Sequence, residues 1–335
     1  MKALEDSKTV GVRAISLFSG CGGSDLALVG RGYDVVWAND VWEAACHTYE
    51  SNLGSGKIDC DDVAKFDKFP AAELLVGCYP CQGYTQGGKR DWGAPVNFLY
   101  RQFDRVLRSI RPLAFIVENV NGMAYGESRE LLDNQLRRYR SAGYRVKWAV
   151  LNARDHGVPQ NRRRVFLVGV RSKLEFEYSF PAPTHGESSP LLPFAAQRAA
   201  LSGLPEWPTG EFNDEPLHWY YLSRRRRYDW DEPSPCIVGH WRHVPLHPMS
   251  PPLKRIHTDK WEFEFEGRAR RLAYRECAAI QGFPDTFAWD HGTVRDRFQM
   301  IGNAVPPPLF AAVLSGLDSF WIKPTRGSSH SHAER

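Results

Sequence analysis

The 335-residue sequence has no run of the roughly 20 apolar residues that a membrane-spanning helix requires. Its first residues, MKALEDSKTVGVR, lack the apolar core of a secretory signal, so the expected location is the cytoplasm. Cysteine is sparse: there are seven, an odd number scattered along a long chain. That pattern argues against a secreted disulfide framework and fits reduced thiols. Cys78 and Cys81 have two residues between them but no further ligands close by, and no metal site is expected. Neither sign of charge dominates. Lys and Arg number 43 against 39 acids, and a net charge of +4 permits a nucleic-acid partner without demanding one. No internal repeat is present. What is there is globular: 42% hydrophobic and 24% charged residues, long enough for one large or two unequal domains.

The first half alternates between two periodicities. Buried-strand patterns occupy 12–18, 33–39, 74–78, 114–120, 144–152 and 165–170. Helical patterns occupy 24–30, 41–52, 97–110 and 129–141. In the third of these helices Leu99, Phe103, Val106, Leu107 and Ile110 share a face, and Pro112 ends it. Strands alternating with helices imply an α/β fold, a mostly parallel sheet with helices on both faces. The texture then changes. Thirteen of the 23 prolines lie between Pro181 and Pro252, a density that breaks helices and forbids central strands. Residues 181–269 read as a separate loop-rich module, helical patterns return at 270–282 and 303–319, and the last residues, 326–335, read as a disordered tail.

Four segments carry chemistry. Phe18-Ser-Gly20-Cys-Gly22-Gly23 follows a strand and opens a helix, where glycines let the backbone turn sharply and meet a ligand; an ordinary glycine turn is the plain alternative. Asp40 ends the next strand, about 20 residues on, where a carboxylate can accept ribose hydroxyls. Asp62 is a candidate for an adenine amino group or simply a solvated acid. Cys81 and Gln82 lie just past the carboxyl end of a strand, before a glycine-rich basic stretch. The strand-end position favours a nucleophile over a buried apolar thiol. Glu118, in Glu118-Asn119-Val120, ends another strand, and a carboxylate there is expensive unless it has a partner or a task. In Gln160-Asn161-Arg162-Arg163-Arg164, alternation puts Arg162 and Arg164 on one face; a solvated basic face is the alternative.

Together these segments resemble a known family. FSGCGG, PCQ, ENV, QNRRR, RECAAIQGFPDTF and GNAVPP occur in the order and spacing of the DNA (cytosine-5) methyltransferases of bacterial modification type. The resemblance covers nearly the whole chain outside 181–269. It implies a Rossmann-like catalytic domain over 1–180 and 270–325, with 181–269 as a smaller target-recognition domain. It implies S-adenosylmethionine as cofactor, double-stranded DNA as substrate and a monomer. A companion restriction endonuclease would act on the same site without a stable complex.

The implied roles fall on named residues. Cys81 would attack carbon 6 of cytosine, and Glu118 would protonate or hydrogen-bond the N3 side, which calls for a raised pKa. Arg162 and Arg164 would orient Glu118 and hold the substrate. Phe18 would stack on the adenine, Gly20, Gly22 and Gly23 would admit the methionine part, Asp40 would hold the ribose and Asp62 the adenine. Pro80 and Leu99 would line the pocket, with Asn303 and Val305 closing it. The sequence departs from the pattern in places: Asp40 stands for a usual Glu, Thr85 for a usual Ser, and Cys236 for the Thr of a Thr-Leu pair.

The target carbon is hidden in the duplex, so the base must be flipped out. Gln82, Lys89 and Arg90 belong to the loop expected to close behind it. Arg224, Arg225, Arg226, Arg227, Arg242 and His243 are the module's candidates for DNA contact, with phosphate the commoner role for arginine. Three other readings remain open at the level of sequence. A tRNA methyltransferase of the same lineage would have a reduced module. A nicotinamide-dependent oxidoreductase gives no task to Cys81 or Glu118. A non-catalytic DNA-binding regulator would not need both residues.

Overall fold

A computed structural model describes residues 11–80 and 98–322, with the side chains of Glu127 and Ile322 excepted. Cys81, Gln82, Lys89, Arg90 and the tail 326–335 lie outside the described residues. Alternating apolar runs and amphipathic stretches build an open sheet. In chain order its elements begin β1 (Arg13–Leu17), α1 (Gly23–Gly30), β2 (Asp34–Asp40), α2 (Glu43–Leu53), β3 (Ile58–Cys60) and β4 (Leu74–Gly77). They continue through α3 (Tyr100–Ile110), β5 (Ala114–Val120), α4 (Arg129–Ser141), β6 (Tyr144–Asn152) and β8 (Arg163–Arg171), with a two-residue strand β7 (Gln160–Asn161) between the last two.

Seven strands lie in the order β3-β2-β1-β4-β5-β8-β6. Only β8 runs against the others, antiparallel to both β5 and β6. This is the mostly parallel α/β sheet that the alternation implied. Chain order reverses between β1 and β4, which opens a crevice outside their carboxyl ends. The strands read as continuous apolar runs because both faces are covered. Leu74 and Val76 join a cluster with α1, α2 and the C-terminal segment 307–317, while Leu75 between them joins a cluster with α3 and α4.

Residues 181–269 hold only short regular elements: α5 (Gln197–Leu201), β9 (Ser234–Pro235) and a hairpin of β10 (Leu253–His257) and β11 (Lys260–Phe263). Beyond them come α6 (Tyr274–Gln281), α7 (Val294–Asn303), α8 (Pro307–Ser315) and α9 (Asp318–Ile322). A third apolar cluster joins Leu201, Ile237 and Val244 of the module to Leu272, Cys277, Ile280, Phe298 and Ile301, so the module and α6–α7 share one core.

Outside the module, β3 and α7 are among the elements that the sequence pattern does not show. β3 has three residues, two of them exposed. α7 has few apolar residues, but Thr293 and Asp296 form a capping box that marks its start. The helical run expected over 303–319 is divided: Asn303 ends α7, and α8 starts with proline at its first helical positions, where the missing N–H costs nothing.

Candidate active site

The register sets Leu17 beside Asn39 and Gly77, so Phe18, Asp40 and Cys78 leave the sheet together at the crevice. Asp40 is half-buried: Oδ2 accepts from the Gly20 amide at 2.8 Å and Oδ1 from Trp42 at 3.0 Å. Burial raises the pKa of this carboxyl. Phe18 takes a positive φ of 57° and sets its ring edge-on to Tyr79 at 6.0 Å. Asp62 is exposed and caps a short turn, accepting from Ala64 N at 2.8 Å. Pro80 is exposed, Leu99 half-buried, Asn303 exposed and Val305 buried.

The glycines divide in a way the sequence did not foresee. A side chain on Gly20 would meet nothing within 4 Å, leaving open space above the turn. Gly22 is needed for packing against Leu53 and Tyr49. Gly23 admits the returning GNAVPP segment, since a Cβ there would lie 2.6 Å from the Val305 carbonyl. Close approach of protein to protein therefore also requires glycine at both positions, beside the ligand approach expected of them. Behind the turn, Asp25 is buried and accepts from Ser16, Ser24 and Tyr49. Burial raises its pKa to about 6 despite these bonds.

Glu118 emerges one residue past Val117, which pairs with Gly77. Its carboxylate is buried, and Oε1 lies 3.0 Å from Arg164 Nε without an aligned hydrogen bond among the described residues. Burial raises the Glu118 pKa, against the pull of Arg164 and then Arg162. Asn119 donates to the Tyr79 carbonyl at 3.1 Å and so pins the backbone two residues before Cys81. Cys78 stays neutral, because burial and then the Glu118 charge push its thiol well up.

Arg162 departs from expectation. Its side chain is 1% exposed and donates to the carbonyls of Ile237, Gly302 and Ala304, each at 2.8 Å. Among the described residues it makes no ion pair with Glu118 and acts on it through its charge, whereas Arg164 lies against the carboxylate. Arg163 points to solvent. Beside Arg162, Gln160 donates to Gln281 at 2.7 Å and accepts from Ile237 N at 2.8 Å, while Gln281 donates to the Ile301 carbonyl at 2.6 Å. This buried network ties QNRRR, the module, α6 and the GNAVPP turn into one unit. At the same junction Gly302 packs directly on the backbone of Val238 and Gly239.

The arginine run is also divided. Arg226 donates to the carbonyls of Tyr221 at 3.1 Å and His243 at 2.9 Å. Arg227 donates to those of Ser250 at 3.2 Å and Pro248 at 3.0 Å. Arg225 pairs with Glu232 at 2.7 Å and lies over Tyr228. Arg242 grips Glu215 through two bonds of 2.7 and 2.9 Å. Arg224 is exposed with no hydrogen bond or ion pair among the described residues. Nearby, Trp219 and Tyr220 are 80% and 57% exposed, and the His243 ring stacks on His240 at 4.5 Å.

Sequence reasoning gave no individual role to Asn119, Gln160, Gln281 or Glu276. All four lay inside the motifs it quoted. Glu276 caps α6 by accepting from Ala273 N, and its buried carboxylate also pairs with Arg270 at 2.6 Å.

Comparison with known proteins agrees with this geometry. The family described as C-5 cytosine-specific DNA methylase matches residues 12–318. The type II methyltransferase M.BsuRI of Bacillus subtilis is 36% identical over 95% of this chain and 81% of its own length. The type II methyltransferase M.MthTI of Methanothermobacter thermautotrophicus is 35% identical over 88% of this chain and 93% of its own. Among solved structures, the S. pombe Dnmt2 methyltransferase superposes with a TM-score of 0.69 at 19% identity, covering 92% of this chain and 99% of that one. The last likeness concerns the fold. The chain belongs to the C-5 cytosine-specific DNA methylases and is a DNA (cytosine-5-)-methyltransferase. No helix among the described residues is long and apolar enough to cross a membrane.

Proposed function

We propose that the chain transfers a methyl group from S-adenosylmethionine to carbon 5 of cytosine within a specific duplex sequence, as the modification half of a type II restriction-modification system. The crevice residues fit that cofactor. Asp40 presents a half-buried carboxylate beside open space above Gly20, and Phe18 supplies an aromatic ring at the end of the neighbouring strand. When bound, the cofactor supplies an electrophilic methyl group on a sulfonium.

The chain's own residues do the rest. Cys81, as thiolate, adds to carbon 6 of the flipped cytosine while N3 takes the Glu118 proton. Carbon 5 then becomes nucleophilic and takes the methyl group. Loss of the carbon-5 proton to a base then expels the Cys81 sulfur, and N3 returns its proton to Glu118, which restores the neutral ring. Arg164 holds the Glu118 carboxyl in place through its contact at 3.0 Å. Asn119 holds the Tyr79 backbone, two residues before Cys81 in the chain. Residues 181–269 supply the target-recognition surface, and 1–180 with 270–325 the catalytic domain.

The observation that carries the reading is Glu118: a buried carboxyl with a raised pKa, at a strand end next to the one leading to Cys81. A proton donor needs that environment. The test is transfer of labelled methyl to unmethylated duplex DNA, followed by nucleoside mass spectrometry. The expected product is 5-methylcytosine, and Glu118→Gln should lower the single-turnover rate by about 10²–10⁴-fold. Methylation of tRNA instead of DNA, or a fully active Glu118→Gln enzyme, would refute it.

A further inference from the structure

The Glu118 site has an unbalanced charge. Two guanidiniums, Arg162 and Arg164, stand against one carboxylate. Arg162 stays cationic near neutrality even though burial lowers its pKa to about 10. If Glu118 must carry a proton to do its work, both cations lose their anion at that moment. A buried cation without a counter-charge is costly. One further ionisable group lies against both of them. Cys236 follows β9, which pairs with β7 beside Arg162. Arg162 Nη1 approaches its sulfur at 3.6 Å, the Ile237 carbonyl lies at the same distance, and Arg164 adds its positive charge to the field there.

We propose that Cys236 is a positioning residue for Glu118: as a thiolate between Arg162 and Arg164, it carries the negative charge those guanidiniums would otherwise demand of Glu118. The proposal rests on reading Glu118 as the proton donor. Its logic is that of coupled titration. Two anions sharing two cations raise each other's proton affinity, so an ionised Cys236 favours the protonated form of Glu118. The direction of the thiol's own shift agrees, since the two arginines outweigh burial and lower it. The other groups facing this cluster do not supply the charge. Cys78, at the end of β4, is held neutral, and Asp25 of α1 lies behind it.

The experiment compares single-turnover methyl transfer to PCR-amplified bacterial genomic DNA as a function of pH for wild type, Cys236→Ser, Cys236→Asp and Glu118→Gln. Protonated Glu118 is the active form, so the rate falls as pH rises through its pKa. Loss of the thiolate in Cys236→Ser should move that alkaline fall about one pH unit lower. The deficit against wild type should widen with pH. Cys236→Asp, which keeps the negative charge, should restore the wild-type profile. A second reading is the absorbance near 240 nm of wild type minus Cys236→Ser, where a thiolate band should persist below the free-thiol value of about 8.5. Binding of S-adenosylhomocysteine checks that each variant is folded. Superimposable profiles for wild type and Cys236→Ser, with Glu118→Gln inactive, would overturn the role of Cys236 alone. An active Glu118→Gln would overturn the proton-donor reading beneath it. Failure of Cys236→Asp to restore the profile, or absence of the thiolate band, would also contradict the proposal.

Discussion

The sheet and the proline-rich module are held together by different means. In the sheet, strands such as β4 and β5 are buried on both faces, and adjacent residues feed two separate apolar clusters. In the module, α5 is five residues long and β9 two, so the backbone has little regular bonding of its own. Arginine and glutamine side chains supply it instead. Arg162, Arg226, Arg227 and Arg271 reach carbonyls across loops, and Arg270 closes a buried ion pair with Glu276. A proline-rich segment cannot pair its backbone in ladders, so its carbonyls need donors from elsewhere. A cluster of arginines in such a segment is therefore building material as well as a surface for phosphate.

This contrast can be broken experimentally, with the largest effect at the buried pair. Arg270→Ala leaves the Glu276 carboxylate unpaired beside His247, itself kept neutral by burial and by Arg270, with its pKa lowered to about 3. Removing one partner of a buried ion pair costs about 3–5 kcal/mol, so chemical denaturation should show a loss of that size. Arg162→Ala removes three bonds to buried carbonyls and should cost about 2–3 kcal/mol, since such carbonyls are costly to leave bare. It should lower stability even in protein without DNA, which a residue serving only substrate would not do.

In the sheet half, the corresponding buried charge is Asp25, and its signature is pH dependence. Its folded pKa of about 6 lies above the unfolded value of about 3.9. The stability it contributes is complete below the unfolded value and is lost as pH rises through about 6. Thermal melts of wild type and Asp25→Asn should therefore show the wild type losing ground between about pH 4 and pH 7. A constant difference across that range would contradict the assignment. The smallest expected stability effects are at Trp219→Ala and Arg224→Ala, within about 0.5 kcal/mol, because both side chains are exposed. DNA affinity should fall in both. Arg226→Ala and Arg227→Ala should instead lower the melting temperature.

The same contrast explains what was legible in the sequence. Ala114–Val120, Arg129–Ser141 and Tyr144–Asn152 coincide with their expected ranges, because burial on one face or both leaves a periodic trace. The antiparallel run of β8 left none, since strand direction does not alter an apolar pattern. The positions of Glu118 and Asp40 at strand ends were readable from local pattern. The division of labour between Arg162 and Arg164 was not. Both point to the same side, but what Arg162 meets there comes from residues 237, 302 and 304, which only the folded chain brings close. The four arginines at 224–227 look alike in sequence and differ only in which carbonyls lie within reach.

The proposed chemistry turns on a transient bond between the Cys81 sulfur and a flipped cytosine. The direct measurement is incubation of the enzyme and S-adenosylmethionine with duplex DNA carrying 5-fluorocytosine at a mapped target site, followed by denaturing electrophoresis. Fluorine cannot leave as a proton does, so the wild-type enzyme should remain covalently attached to the DNA, and Cys81→Ser should not. An enzyme that methylates the unmodified site yet forms no denaturation-resistant complex with the fluorinated one would contradict the account.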